Sequence, residues 1–340
     1  MNIRLPNAHG YIDLIDVVDG RLLIAGWMIH PLIAMDSFKV FVDDKIEHEA
    51  LFTESNGVGE VYPFVKHASR SVFHASIHYD TKPGLRNIDI VGYADGKETA
   101  KLETCFSEEL RPDFAFPDVL KVRVANNANK AYFSASSFTS FRNYFEQVQR
   151  FTNPGSVSKM LDWGCGCGRL TVMFSRGASI PNVYGCDIDG ESIAWCRENL
   201  TGNFDVVPLL PPTNYKDAFF DLVISNSVFT HLTKDIQRKW LEEIHRITVP
   251  GGLFLASVHG EFATFLNFRG EVDQTLKDEI NDGMPDNNLQ GVIPEGYYRG
   301  TYQKRAYTER VFGNYFEVLD YIEAGASHFQ DLVVMRRATE

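Results

Sequence analysis

Three glycines at alternate positions, Gly164, Gly166 and Gly168, follow the acid Asp162 in the segment 160–169, MLDWGCGCGR. An apolar lead-in, an acid, a glycine run and the helix-compatible stretch 170–174 make a strand–loop–helix pattern. Glycines in such a loop let the backbone take positive φ and approach a ligand closely. A second apolar stretch, 183–186, ends in another acid, Asp187. That acid stands about 20 residues beyond the glycines, the spacing of a carboxylate that holds ribose hydroxyls. Asp189 is a rival for the role, and Asp187 is preferred because it closes the strand directly. The loop reads G-x-G-x-G and lacks the G-x-G-x-x-G dinucleotide fingerprint, which argues against a dehydrogenase.

Two histidines follow later apolar runs. His231 ends SNSVFTH, which continues FDLVIS at 220–225, and His259 follows LFLASV at 253–258. Both fall where the strand ends of a parallel sheet form a rim. Histidine there suits general-base work near neutral pH. His245, near a helix end, and His328, in the last turn, read as structural.

The acid with G-x-G-x-G at 162–168 and the acid Asp187 together resemble the S-adenosylmethionine (SAM)-dependent methyltransferases of the Rossmann-like class. The resemblance implies SAM as cofactor. It places Asp162, Gly164, Cys165, Gly166 and Gly168 around its methionine part and Asp187 on the ribose. It also implies Ile188, Leu209 and Leu210 at the adenine and Ser225 at the rim. The stretch 211–260 resembles bacterial methyltransferases of polysaccharide modification through Pro211, Pro212, Tyr215, the run 227–232, Trp240, Arg246 and His259-Gly260. That resemblance implies O-methylation of a sugar or glycan hydroxyl, with His231 or His259 as base. A small-molecule or protein side-chain acceptor is the alternative, and a SAM-fold module without catalysis is the rival of another class. No metal is expected, because no acids or cysteines show ligand spacing.

The elements that must position these residues follow from the rest of the chain. The expected fold is α/β: a seven-stranded Rossmann-like methyltransferase sheet closed by a reversed β-hairpin, preceded by a small all-β, sandwich-like domain. The all-β domain covers 1–106, where short β-rich runs alternate with turn signals at Asp19-Gly20, Asp43-Asp44 and Asp95-Gly96. It contains no catalytic cluster and reads as a packing or homo-oligomerisation module, with glycan binding as the alternative. A connector and cap helix occupy 107–157, with breaks at Arg111-Pro112 and Phe116-Pro117 and aromatic residues at helical spacing from 138 to 151. The methyltransferase domain is 158–340. Within it, 259–304 is long for a connection and reads as an acceptor lid. Phe262, Tyr297, Tyr298 and Tyr302 would stack on the acceptor there, and Arg299 would hold an acidic group.

Composition sets the outer limits. With 44% hydrophobic and 23% charged residues over 340 positions, the chain has the make-up of a globular protein with room for two domains. A net charge of −12 argues against nucleic acid as a partner. No apolar run approaches membrane-spanning length, and acids interrupt the N-terminal stretch where a signal peptide needs an apolar core. The expected location is the cytoplasm. The five cysteines lack paired C-x-x-C spacing and read as buried, reduced residues.

Overall fold

The computed structural model describes residues 8–80, 83–111 and 115–339. The break expected at Pro112 lies outside the described residues. The chain falls into two compact units. One gathers the described residues of Met1–Asp113 with Asn129–Asn143 and Ser327–Phe329, and the other takes Phe114–Ala128, Tyr144–Ala326 and Gln330–Glu340.

In the first unit, seven strands form one antiparallel sheet: β1 His9–Val18, β2 Arg21–Ile29, β3 Ser37–Val42, β4 Ile46–Thr53, β5 Val72–His78, β6 Arg86–Ala94 and β7 Lys97–Phe106. A short helix, α1 Asn56–Val61, lies between β4 and β5. The spatial order is β1-β2-β5-β4-β3-β6-β7. Strand β4 pairs with β3 over 46–50 and with β5 over 51–53, so it passes between two ladders, β1-β2-β5-β4 and β4-β3-β6-β7. Three turns show why the strands reverse where they do. Asp19-Gly20, Asp43-Asp44 and Asp95-Gly96 all hold positive φ at both residues, the geometry that matches the right-handed twist of a hairpin. The core is Leu22, Ile24, Phe38, Val40, Phe73, Ile88, Ile90 and Leu102. Arg142 is buried in the same unit. Its guanidinium donates to the carbonyls of Ile88 at 2.8 Å and Thr104 at 2.6 Å and pairs with Asp89 at 2.6 Å.

The connector is more helical than its sequence suggests. Helix α2, Asp118–Ala125, has no sequence counterpart, and α3 runs from Lys130 to Phe151, starting eight residues before 138. The reason is local: Asn129 accepts from the backbone N–H groups of Ala131 and Tyr132, a cap ahead of the aromatic stripe.

The second unit is built on a sheet of β8 Lys159–Trp163, β9 Asn182–Asp187, β10 Asn203–Val206, β11 Phe220–Ser225, β12 Thr248–Val258 and, later in the chain, a closing pair. Two short strands, β13 Ile280–Pro285 and β14 Arg299–Gln303, pair with each other inside 259–304. The closing pair is β15 Glu317–Ala326 and β16 Gln330–Arg336. The order is β10-β9-β8-β11-β12-β16-β15, parallel throughout except that β16 is antiparallel to both neighbours. Helices α4 Arg169–Gly177, α5 Gly190–Asn199 and α6 Lys234–Ile247 connect the parallel strands. Three short helices follow: α7 Glu261–Asn267, α8 Val272–Thr275 and α9 Arg305–Phe312. The third strand stops at Val206 instead of 209, because Pro208, Pro211 and Pro212 cannot donate to a ladder. Pro250-Gly251-Gly252 lies inside β12, at an irregular register, and α6 ends earlier, at Ile247. Among the described residues no helix is long and apolar enough to cross a membrane.

Helix α6 presents Trp240, Leu241, Ile244 and Ile247 to the sheet at helical spacing. Trp240 is 1% exposed, and its ring centroid lies 4.9 Å from that of Trp163, at the end of β8. This contact links the outer helix to the strand that carries the glycine loop. Replacing Trp240 by Ala should therefore cost about 3–5 kcal/mol of unfolding free energy, the usual cost of emptying a buried aromatic site. Urea denaturation followed by circular dichroism checks it; a loss below about 1 kcal/mol would contradict the packing role.

Candidate active site

The glycine loop joins β8 to α4. Gly164, Gly166 and Gly168 have φ of +78°, +54° and +77°, a region that side chains rarely adopt. A Cβ on Gly164 would lie 2.2 Å from Val228, one on Gly166 2.5 Å from Val124 of α2, and one on Gly168 2.6 Å from Leu200. The glycines are thus needed for packing of three protein side chains as well as for conformation. Asp162, on β8, accepts from the Thr171 hydroxyl at 2.6 Å and so ties the strand to the first turn of α4. Burial pushes its carboxyl up to about 7.

Asp187 closes β9. One carboxylate oxygen accepts from the Gly166 N–H at 2.8 Å and the other from the Asp189 N–H at 2.9 Å. Its carboxyl is also raised, first by burial. Asp189 is the N-cap of α5, accepting from Glu191 and Ser192, and is gripped by Arg123 of α2 at 3.0 Å. The rival acid is therefore spent on helix capping. Arg123 also holds Glu191 at 2.8 Å, which fixes α2 over the loop. The sequence suggests a cap helix within 107–157 and places its aromatic stripe at 138–151; the helix that packs on Gly166 is α2. Its signal is faint: Pro117 before DVLKVRVA, a Pro at the entry of an apolar run.

The other predicted cofactor residues spread along the rim. Cys165 is buried, Ile188 is half-buried against the core, and Leu209 is half-buried with its carbonyl accepting from the Tyr297 hydroxyl. Leu210 is 43% exposed. Ser225 ends β11 fully buried; its carbonyl accepts from Tyr144 at 2.9 Å, and its hydroxyl has no partner among the described residues.

The structure brings the two histidines together, with ring centroids 6.3 Å apart, and gives them different surroundings. His231 stacks face to face on Tyr298, at 4.0 Å and 11°. Its Nδ1 lies 3.1 Å from Asp286, an ion-pair contact without hydrogen-bond alignment. Interaction with His231 holds the Asp286 carboxyl below the usual range against its burial. Burial raises the Tyr298 hydroxyl first, and the charges of Asp286 and Asp187 add to it. His259 is buried, stacks on Tyr302 at 4.7 Å and faces the Thr301 carbonyl with Nδ1 at 3.2 Å. Burial holds its imidazole down to about 3. Asp286 has no counterpart in the sequence reading; its one cue is the turn P-D-N-N, in which it accepts from the Asn288 N–H at 3.0 Å.

The remaining residues expected to meet an acceptor mostly brace the insertion. Tyr297 is tied to Leu209, and Tyr302 accepts from Asn267 at 2.7 Å. Arg299 donates to the carbonyls of Gly296 and Gly283, and Phe262 is 3% exposed in the core. Tyr298 stacks on His231 and Tyr302 on His259. His245 packs edge-on against Phe316. Among the described residues, no group of His, Cys, Asp or Glu is arranged to hold a metal ion.

Residues 161–256 match the family described as "Methyltransferase domain". The chain carries a methyltransferase domain, whose methyl donor is SAM. Over 184 residues the chain is 27% identical to a tRNA (carboxymethyluridine(34)-5-O)-methyltransferase of Arabidopsis thaliana, covering 53% of this chain and 42% of that one. Over 94 residues it is 29% identical to a ribosomal protein L11 methyltransferase of Cupriavidus taiwanensis, covering 28% and 31%. The chain thus spans less than half the length of these curated relatives. It superposes on a SAM-dependent methyltransferase of Methanosarcina mazei with TM-score 0.44 and 14% identity, over 57% of this chain and 98% of that one.

These relatives correct the reading of partners. A sugar or glycan acceptor with no nucleic-acid partner does not stand, because the relatives are named for tRNA and for a ribosomal protein, and neither for a sugar. The physical reason is that the residues behind the sugar reading are scaffold. Trp240 is core, Tyr215 donates to Asp205, and Arg246 spans Glu243, Asp217 and the Tyr215 carbonyl. They report on the fold and not on the acceptor. Likewise, a net charge of −12 averages over the whole surface and does not describe one site.

Two outcomes follow from this geometry. Gly166→Val must leave φ +54° and displace Val124, so it should abolish binding of S-adenosylhomocysteine (SAH) measured by calorimetry; normal affinity would remove the loop from the cofactor site. His259 is neutral when folded and protonates in the unfolded chain below its ordinary 6.5. The unfolded state then binds more protons, so this residue costs stability as pH falls from 6.5 toward about 3. His259→Gln should flatten that part of the melting-temperature profile, and an unchanged slope would count against a buried neutral imidazole.

Proposed function

We propose that this protein transfers the methyl group of SAM to an oxygen nucleophile, with His231 as general base and Asp286 orienting it. The carrying observation is the His231–Asp286 pair stacked under Tyr298, which itself lies in the field of Asp187. A carboxylate beside Nδ1 favours the tautomer that leaves Nε2 to take a proton, and it stabilises the imidazolium once formed.

The residues present fit the cofactor. Asp187 uses one acceptor position on each oxygen for the backbone and keeps others for ribose hydroxyls. The unpartnered Ser225 hydroxyl offers a further polar group at the strand ends. When bound, SAM supplies an activated methyl. The chain's own residues hold the reactants in line, exclude water and take the acceptor's proton. His259 is read as a wall of the site, because its ring is buried and already stacked. The wall at 286–298 meets the acceptor, with Tyr298 as the contacting surface.

The acceptor kinds to assay are those the relatives' names point to, tRNA and protein, together with small hydroxyl compounds. With radiolabelled SAM and an acceptor that turns over, His231→Ala should lose about 10²–10⁴-fold in rate while keeping SAH affinity, the scale of a lost general base. Asp286→Asn should lose less, in the same step. If both variants keep near wild-type rates while a chelator stops turnover, the hydroxyl is activated by a metal and the histidine mechanism is wrong.

A further inference from the structure

Two thiols meet at the glycine loop. Cys165 stands between Gly164 and Gly166, and Cys196 lies on the buried face of α5. Each sulfur donates to the same acceptor, the Gly166 carbonyl, at 3.6 Å. The two side chains share one small apolar cluster with Val172, Ile193, Leu200 and Phe204. All five cysteines are free thiols, and methyl transfer as derived above uses none of them.

We propose that Cys165 and Cys196 form a dithiol modification site, whose oxidation to a disulfide fixes the glycine loop to α5 and weakens cofactor binding. The effect on cofactor rests on the reading of the site given above; the cross-link does not. The step needs a two-electron oxidant. Both S–H bonds break, one S–S bond forms, and two protons and two electrons pass to the oxidant; a diazene is thereby reduced to a hydrazine. The Gly166 carbonyl loses both donors, while its N–H remains on Asp187. The peptide that sets the ribose acid is then restrained from a new side. Buried thiols react slowly because the thiolate is the nucleophile, and burial raises the Cys165 thiol. Oxidation therefore follows opening of the loop, and a ligand that keeps the loop closed slows it.

The test treats the full chain with diamide, with and without SAH, then alkylates, digests and maps it by mass spectrometry. Expected are a Cys165–Cys196 cross-linked peptide pair lacking two hydrogens, slower formation with SAH, and a fall in calorimetric SAH affinity of about ten-fold or more that dithiothreitol reverses. Cys196→Ala should form no such pair and keep its SAH affinity through the same treatment; Cys196→Ser serves if the alanine variant melts early. Cross-linking of a different pair, or full retention of free thiols after prolonged oxidation, overturns the site. A mapped disulfide with unchanged SAH affinity overturns the switch. Reduced wild-type protein that fails to bind SAH overturns the cofactor reading instead, and the cross-link alone then decides the dithiol site.

Discussion

The backbone of Gly166 is the point on which this end of the sheet depends. Its N–H is held by the Asp187 carboxylate, and its carbonyl receives two thiols. The same carboxylate holds the Asp189 N–H, and Asp189 then caps α5. One acid thus sets a loop and a helix start together. It can do so only because β9 runs parallel to β8 in a register that pairs Trp163 with Cys186, which brings Asp187 level with the first glycine. The Gly164 and Cys165 N–H groups complete the seam by donating to the Cys186 carbonyl at 2.8 and 3.0 Å. With the loop fixed, Val228, from the turn after β11, and Val124, from α2, close over it. Asp187 is half-buried and both of its hydrogen bonds here are to backbone, so its loss would leave the Gly166 and Asp189 N–H groups without this acceptor.

The electrostatics of this end are unbalanced by design of the fold. Asp162 and Asp187 are both raised by burial, and each further raises the protonation tendency of its surroundings. Asp162 has Arg169 as a partial counter-charge. Two desolvated carboxyls facing one loop gain most from a ligand that brings positive charge, because a nearby cation favours the ionised acid. SAM carries such charge on its sulfonium and its ammonium.

Much of this was legible in the sequence because it rests on local rules. Alternating glycines after an acid specify a positive-φ loop, and Gly164, Gly166 and Gly168 all adopt one. Asp-Gly and Asp-Asp pairs specify hairpin turns, and three of them make these turns. FDLVIS reads as a strand buried on both faces, and it sits in the middle of the sheet. What was not legible depends on distant partners. Helix α2 is held by Arg123 reaching Asp189 and Glu191, more than sixty positions away, and no periodicity announces it. Asp286 acquires its role from His231, on another element. Tyr297, Tyr298 and Tyr302 look alike in sequence, yet one ties a loop, one stacks on His231 and one packs on a buried imidazole.

The two histidines show where sequence position stops being informative. Both follow adjacent parallel strands, so topology ranks them equally. Their difference comes from the insertion. Strand β14 runs beside His259, with the Gln303 N–H on its carbonyl, and buries the ring. The turn after β13 instead brings a carboxylate to His231. The insertion can make this distinction because it is anchored on both sides: Thr301 donates to the Leu232 carbonyl, Gln237 donates to Gln303, and the Lys234 N–H is held by Asp282. Those anchors fix the backbone on either side of 286–298. Trp240 and Arg246 brace the sheet and touch neither histidine. Selectivity for an acceptor must therefore be sought in the insertion, the part of the domain whose sequence carries the fewest rules.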